Sequence, residues 1–159
     1  MRNATLLFLV KKEGDGIGHI CLAMKKLGFG KGRWNGAGGK VENGETIEQA
    51  MIRESKEEIG VEPKDFYKVS ELSFSFPHNP KWNQMVHTYF CEKWKGEPKE
   101  SEEMAPRWFS VSDIPYTKKW PDDALWLPLT LEGGKIRAAF SLGEGDLIID
   151  KDIHTVEKL

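Results

Sequence analysis

The chain has 159 residues, 39% of them hydrophobic, with 23 Lys and Arg set against 25 Asp and Glu for a formal net charge of -2. That length suits one hydrophobic core, so a single domain over residues 1–159 is expected, and the near balance of charge removes the basic footprint of a protein that grips long nucleic acid. The first apolar run, residues 5–10, is far shorter than the roughly 20 residues a membrane span needs, so the expectation is a cytoplasmic monomer whose partner is a small molecule, not a membrane or a nucleic acid.

Residues 5–10 and 19–24 are apolar, β-branched-containing runs and read as strands, separated by a turn region, residues 11–18. Cys21 and Cys91 fall in apolar runs, the setting of reduced core thiols and not of a metal site. Residues 28–39 carry Gly28, Gly30, Gly32, Gly36, Gly38 and Gly39 around Lys31, Arg33, Trp34 and Asn35, a composition suited to close approach of backbone to a ligand. No Gly-Lys-Ser/Thr follows, so this is not a P-loop. Thr46 opens a helix, Gln49 completes a capping box, and Gly60 ends the helix before Pro63. Residues 66–76 and 85–94 alternate apolar with polar and read as half-buried strands joined by a Pro-containing loop, and residues 107–111 form a shorter candidate. Asp122 and Asp123 precede the apolar stretch 124–131 and could cap a second helix, kept short by Pro128. Residues 136–142 and 147–149 flank Gly143-Glu144-Gly145-Asp146 as a closing hairpin. The sum is an α/β (α+β) chain of two helices and about seven strands.

Ile47, Ala50 and Met51 form an apolar stripe on the first helix, and one turn later the adjoining side carries Glu54, Glu57 and Glu58. Spaced i, i+3 and i+4, these carboxylates converge on one patch and repel each other unless a cation neutralises them. Oxygen ligands at that density suit Mg²⁺, with Mn²⁺ as a substitute. Taken alone, such glutamates are an ordinary solvated face paired with Arg53 and Lys56. The surrounding spacing argues otherwise, because Gly39, Glu45, Arg53, Glu54, Glu57, Glu58, Gly60 and Val61 follow the pattern G-x5-E-x7-R-E-U-x-E-E-x-G-U, with U a bulky apolar residue. The chain thus resembles the Nudix hydrolases; Ser55 at the first U position departs from the pattern but removes no ligand.

That resemblance implies a mixed, curved β-sheet sandwiched between α-helices, and an enzyme whose helix glutamates hold the metals that activate water and grip a diphosphate. It makes Glu54, Glu57 and Glu58 metal ligands, one of them, with Glu58 the leading candidate, the general base, and Arg53 the brace that orients them. Gly38 would lend a backbone carbonyl to the metal and Glu103 a carboxylate from a distant loop.

A second set of residues narrows the substrate. Met24-Lys25-Lys26, Gly28-Phe29-Gly30 and Gly32-Arg33-Trp34-Asn35-Gly36, then Trp120-Pro121-Asp122-Asp123 and Trp126, are similar to the animal MutT homologues within the family, a likeness running over nearly the whole chain. It implies Mg²⁺-dependent hydrolysis of oxidised purine nucleoside triphosphates such as 8-oxo-dGTP and 2-hydroxy-dATP to the monophosphate and pyrophosphate, which keeps damaged purines out of DNA. Carried across by residue, Asn35, Asp122 and Asp123 hydrogen-bond the base edge and Trp120 stacks on its face. Phe29, Phe74, Phe76, Met85 and Trp126 wall the pocket, Gly39 joins the substrate site, and Thr5 and Lys25 sit near the sugar and the pocket mouth. Singly, Phe74 and Phe76 read as a core stripe, the Asp pair as a helix cap and Trp120 as a core aromatic. Two neighbouring carboxylates facing an aromatic pocket repel and are poorly hydrated, so one stays protonated near neutrality and the pair can donate or accept. Other purine nucleotides, alkylated such as O6-methyl-dGTP or undamaged, remain alternatives, as does a non-catalytic nucleotide or cap reader, against which the intact Glu54, Glu57 and Glu58 speak.

Overall fold

Two long strands, β1 (Arg2–Glu13) and β2 (Gly16–Lys25), grow out of the first two apolar runs in the computed structural model, which describes residues 1–159. They turn back on each other at Gly14–Asp15, a tighter reversal than the composition of residues 11–18 suggests, because ladder hydrogen bonds continue past the last buried side chain through a register shift at Lys11/Lys12. A two-residue strand, β3 (Trp34–Asn35), pairs with β2 inside the glycine-rich stretch. There follow β4 (Glu62–Ser75), β5 (Gln84–Lys95), β6 (Met104–Ser110), β7 (Lys135–Leu142) and β8 (Ile148–Val156). The sheet order is β3-β2-β1-β5-β4-β7-β8, with β6 also on β2. β1 with β5 and β4 with β7 run parallel and the other pairs antiparallel, so the sheet is mixed, as expected. The eighth strand is β3, too short to show any alternation.

Period-2 alternation sorts the core onto two faces. In β1, Ala4, Leu6, Phe8 and Val10 pack with Trp126 and Leu127 of helix α2 (Asp123–Leu131), while Leu7 and Leu9 pack with Met51 and Ile59 of helix α1 (Ile47–Ile59). The helices therefore cover opposite faces. α1 begins and ends as its sequence dictates: Thr46 and Gln49 form a reciprocal capping box, and Gly60 closes the helix at φ 71°. Ser55, the departure from the motif, is fully buried and bonds its hydroxyl to the Met51 carbonyl at 2.8 Å, so the polar group at an apolar position is satisfied within the helix.

Residues 34–41 form a wedge that separates β1 from β2 beyond their paired ends. On one side Leu7 and Ala37 exchange backbone hydrogen bonds (2.6 and 3.0 Å), the Thr5 N–H donates to the Gly39 carbonyl (2.9 Å), and the Val41 N–H donates to Asn3 (3.0 Å). On the other side Trp34 and Asn35 pair with Met24 and Ala23 of β2. The approach to β1 is so close that a Cβ on Gly36 would lie 2.5 Å from the Leu7 carbonyl oxygen, and one on Gly38 would collide with that of Thr5. Gly36→Ala should therefore lower the unfolding free energy by about 1–3 kcal/mol. It should cost more than Gly32→Ala, where the new Cβ meets nothing and only a φ of 86° must be tolerated. Urea denaturation reads both, and a loss at position 36 no larger than that at position 32 would contradict the wedge.

Candidate active site

A cavity of about 490 Å³ is lined by the wedge, by β1 and by residues of both helices, a size within the usual range for small-molecule sites. On its α2 side the walls are aromatic. Phe74, Phe76, Trp120 and the fully buried Trp126 line it, as does Phe29, whose ring lies 5.0 Å from Trp120 and 5.4 Å from Trp82. The Arg33 guanidinium rests 4.1 Å from the Trp120 ring, buttressing the indole from outside the lining.

Asp122 and Asp123 are set into this wall, 1% and 3% exposed. Asp122 occupies the N-cap position of α2 but makes no capping bond; its Oδ2 instead accepts from Trp126 Nε1 at 2.8 Å and its buried Oδ1 has no partner. The capping role suggested by sequence is thus replaced by a pocket role. Burial, followed by the neighbouring Asp123 charge, pushes the Asp122 carboxyl well above the usual carboxylate range, as expected for one member of a crowded pair. Lys119 lies 3.0 Å from Asp123 Oδ2, an ion pair by distance, although the angle is poor for a hydrogen bond. Asn35 lines the cavity with its Oδ1 accepting from the Gly36 N–H at 2.9 Å, and Thr5 presents a buried hydroxyl without a partner.

On the α1 side Glu58 enters the cavity, 4% exposed, its Oε1 accepting from the Gly38 N–H at 2.7 Å and its Oε2 lying 3.7 Å from Lys25 Nζ. Burial pushes its carboxyl up to about 7, against the pull of the Gly38 N–H and the Lys25 cation. Glu54 is also raised by burial, against its bond to Arg53. Its carboxyl lies against Gly39, where a Cβ would approach it to 2.6 Å, so bare backbone is what admits it. Arg53 braces this side: Nε and Nη2 clamp Glu45 (2.7 and 3.0 Å), Nη1 reaches Glu54 (2.8 Å), and Nη2 also donates to the Lys40 carbonyl (3.1 Å). The clamp holds Glu45 down at about 2, an acid kept ionised to anchor the arginine.

The structure gathers most of the sequence-derived candidates and sets two apart. Met85 does not line the cavity; its neighbours Gln84 and Val86 do, and one strand step turns Met85 to the opposite face. Glu57 is turned outward, its side chain 59% exposed and 3.4 Å from Arg53, so the glutamate patch is split into a half-buried Glu54, a buried Glu58 and an outlying Glu57. Glu103, on the segment before β6, reaches Lys25 at 3.5 Å and so borders the site. Two participants escaped the sequence reading. Trp82 lines the cavity from the loop between β4 and β5, and Lys119 was hidden because its i,i+4 relation to Asp123 appears only once the start of α2 is known.

Fold and site together describe an α+β enzyme with a carboxylate-bearing helix facing a nucleotide-sized cavity. The chain belongs to the Nudix hydrolase family: the NUDIX domain matches residues 1–130. It is 42% identical over 142 residues to the oxidized purine nucleoside triphosphate hydrolase of Danio rerio, covering 89% of this chain and 90% of that one. It is 41% identical over 76 residues to the 8-oxo-dGTP diphosphatase of Escherichia coli, covering 46% and 55% of the two. Among solved structures, the MutT protein of Bacillus halodurans superposes with a TM-score of 0.80 over 96% of this chain and 97% of that one at 20% identity, which shows the same fold.

The raised Glu58 has a thermodynamic consequence. A folded carboxyl at about 7 against an ordinary 4.5 gives stability that is fully present below pH about 4.5 and lost as pH rises through about 7, up to about 3 kcal/mol in all. In chelator-treated protein, chemical denaturation across that window should show wild type losing stability relative to Glu58→Gln. Parallel curves would mean that Glu58 titrates as an ordinary glutamate.

Proposed function

We propose that this protein hydrolyses oxidised purine nucleoside triphosphates, 8-oxo-dGTP and 2-hydroxy-dATP, to the monophosphate and pyrophosphate. The observation that carries this reading is one cavity lined both by an aromatic wall bearing a buried Asp pair and by the α1 carboxylate Glu58. The name and extent of the Danio rerio relative support the same substrate class. A formal net charge of -2 agrees with a free nucleotide as the partner.

In this reading Trp120 stacks on the purine, the protonated Asp122 donates to a base carbonyl, and Asp123 accepts from a base N–H. Asn35 adds a contact to the base edge, and the Thr5 hydroxyl and Lys25 serve the sugar and the mouth of the cavity. Glu54, Glu57, Glu58 and Glu103, with the Gly38 carbonyl, would hold Mg²⁺ or Mn²⁺. The donor chemistry suits such an ion, all of it hard oxygen: burial first, and then neighbouring carboxylate charges, raise Glu54 and Glu58, and Gly39 leaves the space a Cβ would fill, while Glu57 would have to leave Arg53 to join them. When bound, the ion neutralises phosphate oxygens and lowers the pKa of coordinated water. Glu58, at the cavity wall, accepts the proton of the attacking water at its carboxylate. Arg53 keeps Glu54 in place and ties α1 to the Lys40 carbonyl.

With Mg²⁺ present, kcat/KM for 8-oxo-dGTP should exceed that for dGTP by about tenfold or more, the worth of one or two buried hydrogen bonds. Glu58→Gln should lower kcat by about 10²- to 10⁴-fold with little change in KM. Equal turnover of damaged and undamaged purines would reject the substrate, and full activity of the variant would reject the base. Because the ligands must shed protons to bind, Mg²⁺ should raise Tm more at pH 8 than at pH 5.5. A shift independent of pH would place the ion elsewhere.

A further inference from the structure

Lys119 is the least expected charge in the molecule. Its side chain has no exposed surface, its Nζ donates to the Trp34 carbonyl at 3.0 Å and lies 3.0 Å from Asp123 Oδ2, and the Phe8 ring is 5.4 Å away. It does not line the cavity but stands behind it, joining the start of α2 to β3. A buried ammonium needs a counter-charge, and Asp123 is the carboxylate placed to supply it. Asp122 has no such cation; its Oδ2 is taken by an indole N–H, which can only donate, so a proton on this carboxyl belongs on the unpartnered Oδ1.

We propose that Lys119 is a positioning residue that sets substrate preference: paired with Asp123 and anchored to the Trp34 carbonyl, it fixes Asp123 as hydrogen-bond acceptor and Asp122 as donor, so that the cavity favours the oxidised guanine over the oxidised adenine. This rests on the proposed function. An oxidised guanine presents a carbonyl oxygen beside a ring N–H, which complements one donor and one acceptor in that order. An oxidised adenine carries an amino group where guanine has the carbonyl, so a donor meets the donor on Asp122 and both are left buried and unpaired. Without the lysine neither carboxyl would have a cationic partner, the two would be equivalent in that respect, and the shared proton could sit on either, which lets one pocket read both bases. Lys119 removes that equivalence.

The test is steady-state kcat/KM with Mg²⁺ for 8-oxo-dGTP and 2-hydroxy-dATP, measured for wild type, Lys119→Met and Lys119→Gln. Wild type should prefer 8-oxo-dGTP by about tenfold or more, and both variants should shrink that ratio by about tenfold, the scale of one hydrogen bond to a charged group. The change should come from loss on 8-oxo-dGTP with 2-hydroxy-dATP spared or improved. Equal losses on both substrates would make Lys119 a structural staple and overturn the inference, as would an unchanged ratio. Should neither variant fold, the wild-type ratio decides, and a value near one overturns the inference. Turnover of neither substrate by wild type overturns the proposed function and this inference with it, whereas turnover of both without preference overturns this inference alone.

Discussion

The arrangement of the whole site depends on the backbone wedge of residues 34–41 driven between β1 and β2. Two strands that pair at one end are held apart at the other, and the gap is filled by main chain and not by side chains. Gly36, Gly38 and Gly39 are the condition for this, because a Cβ at any of them would strike Leu7, Thr5 or the Glu54 carboxyl. One short segment thereby aligns Asn35 with the aromatic wall and brings the Gly38 N–H to Glu58. The opening between the strands becomes a cavity with helix residues from both faces of the sheet around it.

Each side of that cavity carries acidic side chains managed by a neighbouring cation. Arg53 clamps Glu45 and reaches Glu54 on the α1 side, and Lys119 meets Asp123 on the α2 side. Arg53 thus holds two carboxyls and Lys119 one, while in each place a further carboxyl, Glu58 or Asp122, stays buried and shifted upward. The same low-dielectric surroundings that make these groups costly push both carboxyls up from the usual carboxylate range, and perturbed carboxyls of this kind gather at functional sites. The stability lost by leaving them there is offset by the two packed core clusters on either side of the sheet.

Much of this was legible in the sequence because it is carried by local rules. The capping box at Thr46, the left-handed Gly60, the alternation along the second half of β4 and the closing hairpin are short-range signals that stand in the structure, whereas β5, expected to be half-buried, is buried on both faces from Val86 to Cys91 because it runs mid-sheet between β1 and β4. The helix glutamates were recognised from their spacing, yet spacing could not say that Glu57 faces outward, since that depends on how α1 docks on the sheet. Met85 shows the complementary weakness: a large apolar residue in a strand declares a face only after its register with β1 is known. Lys119, which no local sequence signal singles out, is buried because the segment before α2 brings its ammonium onto the Trp34 carbonyl of β3. Tertiary placement of that kind leaves no local trace.

The central claim is that one nucleotide spans the cavity, its base at the Asp122–Asp123 wall and its phosphates toward the α1 glutamates. A crystal structure with Mg²⁺ and a non-hydrolysable 8-oxo-dGTP analogue tests this most directly. The account predicts the purine stacked on Trp120 within hydrogen-bond reach of Asp122 and Asp123, with the triphosphate running past Gly38 to metal held by Glu54 and Glu58. A base bound away from Trp120, or phosphates pointing away from α1, would contradict it.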